Sequence, residues 1–427
     1  MSAVAGILTA LGYRVTGSDR FLDQGENLDV LLRLQHGGVV LTKQDGSAIT
    51  VDTKAVVVST AIEAGNPELE AAARHGVEVV HRAEMLARLA RGHCCIAITG
   101  TAGKTTVTGM TGWILAEAGL DPTVVNGGAV LNWVTDRTVG NVRHGKSDLW
   151  VLEADESDRS LLRFHPDLAL ITNVSKDHFE LDEVVRLFGS FVQQVSGKAL
   201  GGRGVAETLG AKITEVTITV VQDEEGWSVD LGTQRAKVNL PGRHNAENAA
   251  MAAALCRSCG VDDATIAGAL ASFRGIHRRL ELVGEGRGVR VYDDYAHNPA
   301  KIYASWSAVA ESARRVFGVW RPHGYGPLSL MRDELAASLA SACRKEDRCF
   351  ILPVYYAGGT ASKTVTSEDF VAVLISRGVA ATFVPDYESL EGILVSELRA
   401  GDTVVGMGAR DPQLPRFAQS LVKRLRT

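Results

Sequence analysis

The sequence lacks the long apolar run that a membrane-spanning helix needs. No stretch of its 427 residues approaches the roughly 20 apolar residues that cross a bilayer, and its first residues have neither the basic nor the apolar region of a secretory signal. Blocks of like charge are also missing, because the formal net charge of −5 is spread along the chain. These absences predict a cytoplasmic protein whose partners are small molecules, not nucleic acids or membranes.

Cysteine is scarce as well. The six cysteines are too few and too scattered for a disulfide framework, and none lies in a zinc-like cluster. Cys256 and Cys259 form a CxxC pair, but no second pair lies near it and the surrounding alanine-rich residues 245–259 have a helical pattern. We therefore expect these two side chains to pack inside the protein rather than to bind metal or carry redox chemistry.

What the sequence has is an alternation of strand-like apolar runs and helical patterns, which predicts an α/β fold with parallel sheets flanked by helices. A chain of this length is too long for one hydrophobic core and favours about three domains. The pattern divides into three series, and we place the domains at residues 1–92, 93–277 and 278–427. The glycine-rich residues 197–204 are predicted to form a surface loop.

The most informative motif is a glycine-rich turn between the apolar residues 94–98 and a helical pattern. It reads Gly100-Thr101-Ala102-Gly103-Lys104-Thr105-Thr106. Small residues let backbone N–H groups close around phosphate oxygens, Lys104 supplies a cation, and the Thr105 hydroxyl can ligate Mg²⁺. The full Walker pattern would have glycine where Ile98 stands, so an ordinary glycine-rich helix start is the alternative. The position between strand and helix favours a binding site for ATP.

Polar residues follow two other apolar runs where strands are expected to end. Glu153 follows residues 149–152, and His178 lies shortly after residues 168–171. The carboxyl ends of parallel strands share one edge of a sheet, so both side chains should face the same edge as Lys104. A hydroxyl, a carboxylate and an imidazole there could hold two Mg²⁺ ions between ATP and an acidic acceptor. The alternative is that the acidic residues cap a helix and that His178 is an ordinary loop residue.

These and further motifs occur in the order found in the Mur ligases, and the chain resembles that family over nearly its whole length. The matching segments are residues 99–106, 153–158, 172–173 with 177–178, 240–245 with Asn248, 278–279 and 293–299. The resemblance implies three α/β domains. They are a Rossmann-like N-terminal UDP-binding domain, a central P-loop ATPase-like domain with a mostly parallel sheet, and a C-terminal Rossmann-like domain.

The resemblance also implies roles for individual residues. Lys104, Glu153 and His178 are the catalytic residues it implies, and Thr105 joins Glu153 and His178 as a ligand of Mg²⁺. Further residues would contact ATP together with Lys104 and Thr105: Gly100, Thr101, Gly103, Thr106, His244, Asn245, Asn248, Arg278, Asp293, Asp294, His297 and Asn298. The nucleotide sugar would contact Ser18, Asp19, Ser59, Thr60 and Ala61.

The implied chemistry is amide bond formation through an acyl phosphate. A carboxylate of a nucleotide sugar similar to UDP-N-acetylmuramate attacks the γ-phosphate of ATP, a step that depends on positioning and cations more than on a general base. The amine of an amino acid, alanine in the branch that the chain resembles most, then attacks the activated carbonyl. The resemblance thus implies ATP and Mg²⁺ as cofactors, a role in peptidoglycan synthesis, and a monomer or homodimer whose C-terminal domain closes over ATP.

Three departures from the family pattern are visible. The chain opens on a helical pattern without the strand and glycine-rich turn that normally begin a doubly wound domain, so we expect a chain shortened at its N-terminus. After Pro322 and His323 the family's arginine-rich stretch is missing, and the next cation is Arg332. Arg410 stands where the family has glycine. The last two departures lie in the domain that admits the amino acid, so another amino acid or a preformed peptide stays open as the nucleophile.

A different class of function is a non-catalytic nucleotide-binding relative that acts as a regulator or scaffold. Loss of sugar binding with the missing N-terminal strand would favour that alternative. The joint presence of Lys104, Glu153 and His178 favours the enzyme.

Overall fold

The computed structural model describes residues 1–25, 28–176, 179–210, 212–356 and 365–427. The chain forms two compact units: Met1–Asn239 with Asn245–Arg274, and Leu240–His244 with Gly275–Thr427. Sheets of mostly parallel strands alternate with helices in both, which confirms the α/β class. Among the described residues, no helix is long and apolar enough to cross a membrane. The domain boundaries placed after residues 92 and 277 stay predictions.

The first unit begins with a helix and two small parallel sheets. The helices are α1 Ser2–Ala10, α2 Arg20–Asp23, α3 Asp29–His36, α4 Pro67–His75 and α5 Arg82–Ala90. The strands are β1 Thr16–Ser18 with β2 Val40–Thr42, and β3 Ala55–Val58 with β4 Glu78–His81. Helix α4 shows why these boundaries lie where they do: Asn66 accepts a hydrogen bond from the N–H of Glu68, and Gly76 ends the helix with a φ of +65°.

A central sheet follows in the same unit. Its strands are β5 Cys94–Thr99, β6 Thr123–Val125, β7 Val142–Arg143, β8 Leu149–Glu153, β9 Leu168–Ile171, β10 Lys198–Gly201 and β11 Ile213–Glu215. Across the described residues the strand order is β11-β10-β9-β5-β8-β6-β7, and only β6 and β7 pair antiparallel. Strand β5 lies between β9 and β8 and is buried from Cys95 onward, as an apolar run covered on both faces should be. The carboxyl ends of these three strands are therefore neighbours.

The remaining elements of this unit complete its layers. The helices are α6 Lys104–Glu117, α7 Leu181–Gln193, α8 Val205–Leu209, α9 Arg243–Ser258 and α10 Asp263–Ser272, of which only the first two residues of α9 belong to the second unit. A small antiparallel sheet contains β12 Val220–Asp223, β13 Gly226–Asp230 and β14 Arg235–Val238. The hydrophobic core combines inward side chains of the central sheet with α1, α5 and α7.

The prediction of a surface loop at residues 197–204 is wrong, because strand β10 lies within that range and is buried from Ala199 to Gly201. A Cβ on Gly201 would lie 2.7 Å from Ile213 Cγ2, and one on Gly202 would lie 2.0 Å from the carbonyl oxygen of Thr172. Glycine is needed here for close packing between strands rather than for a turn.

The second unit is a doubly wound sheet. Its strands are β15 Glu281–Gly286, β16 Val289–Asp294, β17 Val316–Trp320, β18 Arg348–Ile351, β19 Ala381–Phe383 and β20 Thr403–Met407, and its helices are α11 Pro299–Ala310, α12 Tyr325–Ala342, α13 Ser367–Ser376, α14 Tyr387–Glu397 and α15 Gln413–Arg426. In the described part of this unit the order is β15-β16-β20-β17-β18-β19, parallel except for β15. Helices α11, α12 and α13 cover one face and α14 and α15 the other.

Candidate active site

The glycine-rich turn joins buried strand β5 to helix α6. Gly100 and Gly103 have φ angles of +131° and +81°, a region that glycine adopts without steric cost. A Cβ on Gly100 would lie 2.0 Å from Thr172 Oγ1, and one on Gly103 would lie 2.5 Å from Asn248 Oδ1. Polar side chains therefore pack directly against the backbone of the turn, and the sequence Gly-Thr-Ala-Gly provides the room for them.

Two residues that follow strand β9 hold this turn in place. Thr172 Oγ1 donates a hydrogen bond to the carbonyl oxygen of Ala102 at 2.6 Å, and Asn173 Nδ2 donates to the same oxygen at 3.0 Å. Asn173 Oδ1 accepts from the Ala102 N–H at 3.0 Å and from the Thr101 hydroxyl at 2.6 Å. The turn is thus preorganised by side chains to which the sequence analysis assigns no role. Their position directly after an apolar run was the signal.

Lys104, the first residue of α6, faces the carboxylates that follow strand β8. Its Nζ donates to the carbonyl oxygen of Gly100 at 2.8 Å and to Glu156 Oε2 at 2.5 Å. Asp155 Oδ1 lies further away, at 4.0 Å. Glu156 is only 1% exposed, and this burial raises the pKa of its carboxyl group while the charge of Lys104 opposes the increase. The predicted phosphate-binding cation is therefore paired with a buried anion.

Thr105 and Glu153 come together at the same edge of the sheet. The Thr105 hydroxyl donates to Glu153 Oε1 at 3.0 Å, and the N–H of Gly127 donates to Glu153 Oε2 at 2.7 Å. Two neighbouring ligands of an octahedral Mg²⁺ ion, each about 2.1 Å from the metal, are about 3 Å apart. The hydroxyl and carboxylate oxygens of this pair therefore have a separation and a chemistry that fit Mg²⁺.

The third predicted metal ligand, His178, lies outside the described residues, as does Asp177. In the part of the chain that the structure describes, no three His, Cys, Asp or Glu side chains are grouped so as to hold a metal ion. Thr105 and Glu153 are thus the candidate ligands among the described residues, and the role of His178 stays a prediction.

Arg82, the first residue of α5, contacts the remaining acidic residues of this loop. Its Nη2 lies 3.3 Å from Asp158 Oδ2 and 3.7 Å from Asp155 Oδ2. The four carboxylates at and after the end of β8 therefore divide among three partners: Glu153 contacts Thr105, Glu156 contacts Lys104, and the two aspartates share Arg82.

The residues expected to bind the nucleotide sugar lie at two strand ends. Ser18 ends β1 and donates to Glu68 Oε2 at 2.6 Å, while Asp19 accepts from the N–H of Phe21 at 2.9 Å and begins α2. Ser59, Thr60 and Ala61 follow β3 and form a turn in which the Ser59 carbonyl oxygen accepts from Ile62 N–H at 3.1 Å. All five lie at or after the carboxyl ends of parallel strands, the position at which α/β sheets bind ligands.

Three of the residues predicted to contact ATP, His244, Asn245 and Asn248, divide between the units. Asn245 and Asn248 are buried in the first turns of α9 in the first unit, and Asn248 lies against Gly103. His244 belongs to the second unit. The phosphate turn is completed by Thr101, Thr105 and Thr106, which are all buried.

The second unit has its own polar cluster at the carboxyl ends of β16 and β20. Arg278 donates from Nε to Asp293 Oδ2 at 3.1 Å and from its two terminal nitrogens to the carbonyl oxygens of Gly408 and Ala409 at 2.5 and 3.3 Å. Burial raises the pKa of Asp293 to about 6, with the charge of Arg278 acting in the opposite direction. Burial also raises the pKa of Asp294, which accepts a hydrogen bond from the Ser305 hydroxyl.

His297 and Asn298 follow the same strand. The Asn298 side chain accepts from the Lys301 N–H at 2.9 Å and begins α11. His297 Nδ1 lies 2.9 Å from the Tyr295 carbonyl oxygen, and its ring meets that of His323 edge-on with 5.1 Å between centroids. Burial, with His297 and Arg410 nearby, lowers the pKa of His323 to about 4.

The two cations that depart from the family pattern have different surroundings. Arg332 lies on α12 with its Nε 3.8 Å from Asp333 Oδ1. Arg410 is exposed in the turn after β20, and its charge acts on His323. Of these two cations, Arg410 is the one whose charge lowers the pKa of His323.

Three family models match the chain in order. They are the Mur ligase family catalytic domain at residues 1–93, the Mur ligase middle domain at residues 98–196 and the Mur ligase glutamate ligase domain at residues 278–410. The chain belongs to the Mur ligase family. The middle-domain match contains the phosphate turn and Glu153, and the third match begins at Arg278. This Mur ligase consists of three α/β domains with mostly parallel sheets, as the resemblance implies.

Relatives of this Mur ligase span almost all of it. A UDP-N-acetylmuramate–L-alanine ligase of Chelativorans sp. (strain BNC1) is 34% identical and covers 100% of this chain and 96% of the relative. One of Synechococcus sp. (strain JA-2-3B'a(2-13)) is 37% identical and covers 96% and 87%. The solved structure of UDP-N-acetylmuramate-alanine ligase MurC from Thermotoga maritima matches with a TM-score of 0.81 at 25% identity, covering 99% of this chain and 96% of that one.

Proposed function

We propose that this Mur ligase joins the carboxylate of UDP-N-acetylmuramate to L-alanine with the use of ATP, in peptidoglycan synthesis. The observation that carries the proposal is the meeting of Lys104, Thr105 and Glu153 at one edge of the central sheet. Identities of 34% and 37% to ligases of that name, over 100% and 96% of this chain, support the choice of substrates. The chain is an ATP-dependent amino acid ligase on the same grounds.

The first step is transfer of the γ-phosphoryl group from ATP to the sugar carboxylate, which gives an acyl phosphate and ADP. The N–H groups of the turn and the start of α6 would receive phosphate oxygens, and the ammonium group of Lys104 would neutralise charge on the transferred group. The Thr105 hydroxyl and the Glu153 carboxylate would hold Mg²⁺, and His178 is proposed as a further ligand. The bound ion would supply additional neutralisation of the phosphate oxygens.

The second step forms the amide. The amine of alanine attacks the acyl carbon, the C–O bond to phosphate breaks, and the amine proton and inorganic phosphate leave. The tetrahedral intermediate is negatively charged, so Lys104 would stabilise it as it stabilises the first transition state. Arg278, Asp293, Asp294, His297 and Asn298 are also proposed to contact ATP.

The choice of alanine is the part of the proposal that needs the most direct test. Phosphate release should be measured with ATP, Mg²⁺ and UDP-N-acetylmuramate, together with a panel of single amino acids and a tripeptide. We expect release to require both the nucleotide sugar and an amino acid, and to be fastest with L-alanine. Faster release with another amino acid or with the peptide would change the assigned substrate. ATP binding without amino-acid-dependent release would contradict the ligase and favour a regulator or scaffold.

We also propose a cellular location, a class of partners and an assembly state for this ligase. ATP is made and kept inside cells, so a reaction that consumes it belongs in the cytoplasm. The dispersed net charge of −5 favours small-molecule partners over nucleic acid or an anionic membrane. A monomer or a homodimer is the expected assembly, and sedimentation of the purified protein would distinguish the two.

A further inference from the structure

Four carboxylates lie at or shortly after the end of strand β8, and three of them lie against Thr105 or Arg82. The fourth, Glu156, lies against Lys104. We infer that Glu156 is a positioning residue, which holds the Lys104 ammonium group at the place where the phosphates of ATP will meet it. The inference rests on the proposed ATP-dependent reaction and adds a residue to it that acts through Lys104.

Among the residues that the structure describes, the hydrogen bonds of Lys104 leave one of its three donors available. An ammonium group has three N–H donors. One is directed to the carbonyl oxygen of Gly100 at 2.8 Å and one to Glu156 Oε2 at 2.5 Å. Asp155 Oδ1, at 4.0 Å, is beyond hydrogen-bonding distance. The two bonds fix the end of a long side chain that otherwise rotates about four bonds, and the third donor can point to a phosphate oxygen.

Lys104 in turn stabilises the buried carboxylate of Glu156. Glu156 is 1% exposed, and in the described residues its Oε1 has no hydrogen-bond partner. Burial of a carboxylate favours the neutral form, and the nearby ammonium charge favours the ionised form. A carboxylate kept in such a place without a cation would be costly, so the pairing of the two groups explains why both are found there.

This role predicts a specific kinetic signature. Removing the charge of Glu156 takes an anion away from the region that receives the anionic triphosphate, so the affinity for nucleotide should not fall. Lys104 would then be free to take several positions, and its charge would be less well placed for the transition state of phosphoryl transfer. The loss should therefore appear in kcat and not in nucleotide affinity.

The test compares Glu156→Gln and Glu156→Ala with the wild type and with Glu183→Gln. Glu183 is a matched control, because it pairs with Arg159 at the surface of α7. We expect kcat to fall about tenfold in Glu156→Gln, which keeps an acceptor oxygen, and further in Glu156→Ala. The Kd of the ATP analogue AMP-PNP, measured by calorimetry, should be equal to or lower than that of the wild type. Glu183→Gln should retain wild-type kcat.

Two results would overturn the inference. The first is a kcat within about threefold of the wild type in Glu156→Ala. The second is a fall in kcat with a matching loss of affinity for AMP-PNP and for UDP-N-acetylmuramate and a lower melting temperature, since that pattern describes general damage to the fold.

A readout without turnover separates this inference from the proposed function. Acetic anhydride modifies neutral lysine amines, and mass spectrometry reports the rate at each lysine. Without Glu156 the end of the Lys104 side chain is no longer held against a carboxylate, so the reagent should reach Lys104 more easily and acetylate it faster in Glu156→Ala, while exposed Lys198 is unchanged. An unchanged rate at Lys104 contradicts the pairing even if the wild type proves inactive, whereas an inactive wild type with the expected change in labelling contradicts only the ligase reaction.

Discussion

Lys104 and Glu156 form a pair from which neither member can be removed without consequence for the other. Lys104→Ala should abolish amide formation, because the cation at the transferred phosphoryl group is lost. It should also leave the carboxylate of Glu156 buried without a partner. Breaking a buried pair in this way costs about 3–5 kcal/mol when the remaining group stays charged. Phosphate release and the free energy of unfolding would be measured together, and near-normal turnover would refute the role of Lys104.

The stability loss in Lys104→Ala should depend on pH in a defined direction. Burial already raises the pKa of Glu156, and removal of the ammonium charge raises it further. A carboxyl group whose pKa is higher in the folded than in the unfolded state binds more protons when folded, so stability decreases as pH rises through the folded pKa. The variant should therefore be less stable relative to wild type at about pH 8 than at about pH 5. Adding Glu156→Gln should restore stability and not turnover.

Some residues of the site could be predicted from the sequence, and others could not. Lys104, Thr105 and Glu153 follow from local patterns, because a glycine-rich turn and a carboxylate after an apolar run are both visible in a few letters. The partner of Lys104 could not be read in this way, since Glu153, Asp155 and Glu156 are equally acidic in sequence. Which carboxylate meets the ammonium group depends on the path of the loop after β8, a property of the folded chain.

At the scale of elements, the end of strand β9 supports the turn between β5 and α6. Asn173→Ala should remove the three contacts that its amide makes with Thr101 and Ala102. The turn would then be less ordered before ATP binds, so we expect the KM for ATP to rise about tenfold with the KM for alanine unchanged. Steady-state kinetics with each substrate varied in turn would measure this effect.

Asn132 provides a matched control for that variant. Its side chain also makes two hydrogen bonds to backbone groups, donating to the Ser272 carbonyl oxygen at 3.0 Å and accepting from the Arg274 N–H at 2.8 Å. Asn132→Ala should lower the melting temperature without a selective change in the KM for ATP. Equal kinetic effects of the two variants would mean that Asn173 acts on the fold in general and not on the phosphate turn.

The elements that could be predicted are the buried parallel strands, since β5, β8 and β9 are apolar runs with polar residues at their ends. Strand β10 was missed because Gly201 and Gly202 resemble a loop in sequence, while their lack of side chains is what allows Ile213 and the Thr172 carbonyl oxygen to approach. The antiparallel strands β12 to β14 lack continuous apolar runs and pair through contacts between neighbouring strands, which periodicity alone does not report.

At the scale of the whole molecule, the alternation of strands and helices along the chain predicts the α/β class. Alternating strands and helices have few ways to bury their apolar faces. The six-stranded sheet shows this well, with three helices on one face and two on the other. The number of compact units is harder to predict from the sequence than the fold class. The two-stranded sheets of residues 16–81 share a unit with the central sheet, and their contact depends on α1 and α5 entering the same core.

The last prediction concerns movement of the second unit on ligand binding. Arg278 is bound to Asp293 and to the carbonyl oxygens of Gly408 and Ala409, so it belongs to the body of that unit. We expect closure over ATP to move the predicted ATP contacts Asp294 and His297 together with Arg278, because all three belong to this unit. X-ray scattering should show a smaller radius of gyration when AMP-PNP, Mg²⁺ and UDP-N-acetylmuramate are added together. Adenosine in place of AMP-PNP lacks the triphosphate and should produce no change. A scattering profile that is the same with and without the full set of ligands would contradict closure, and the residues assigned to ATP in the second unit would then need a different role.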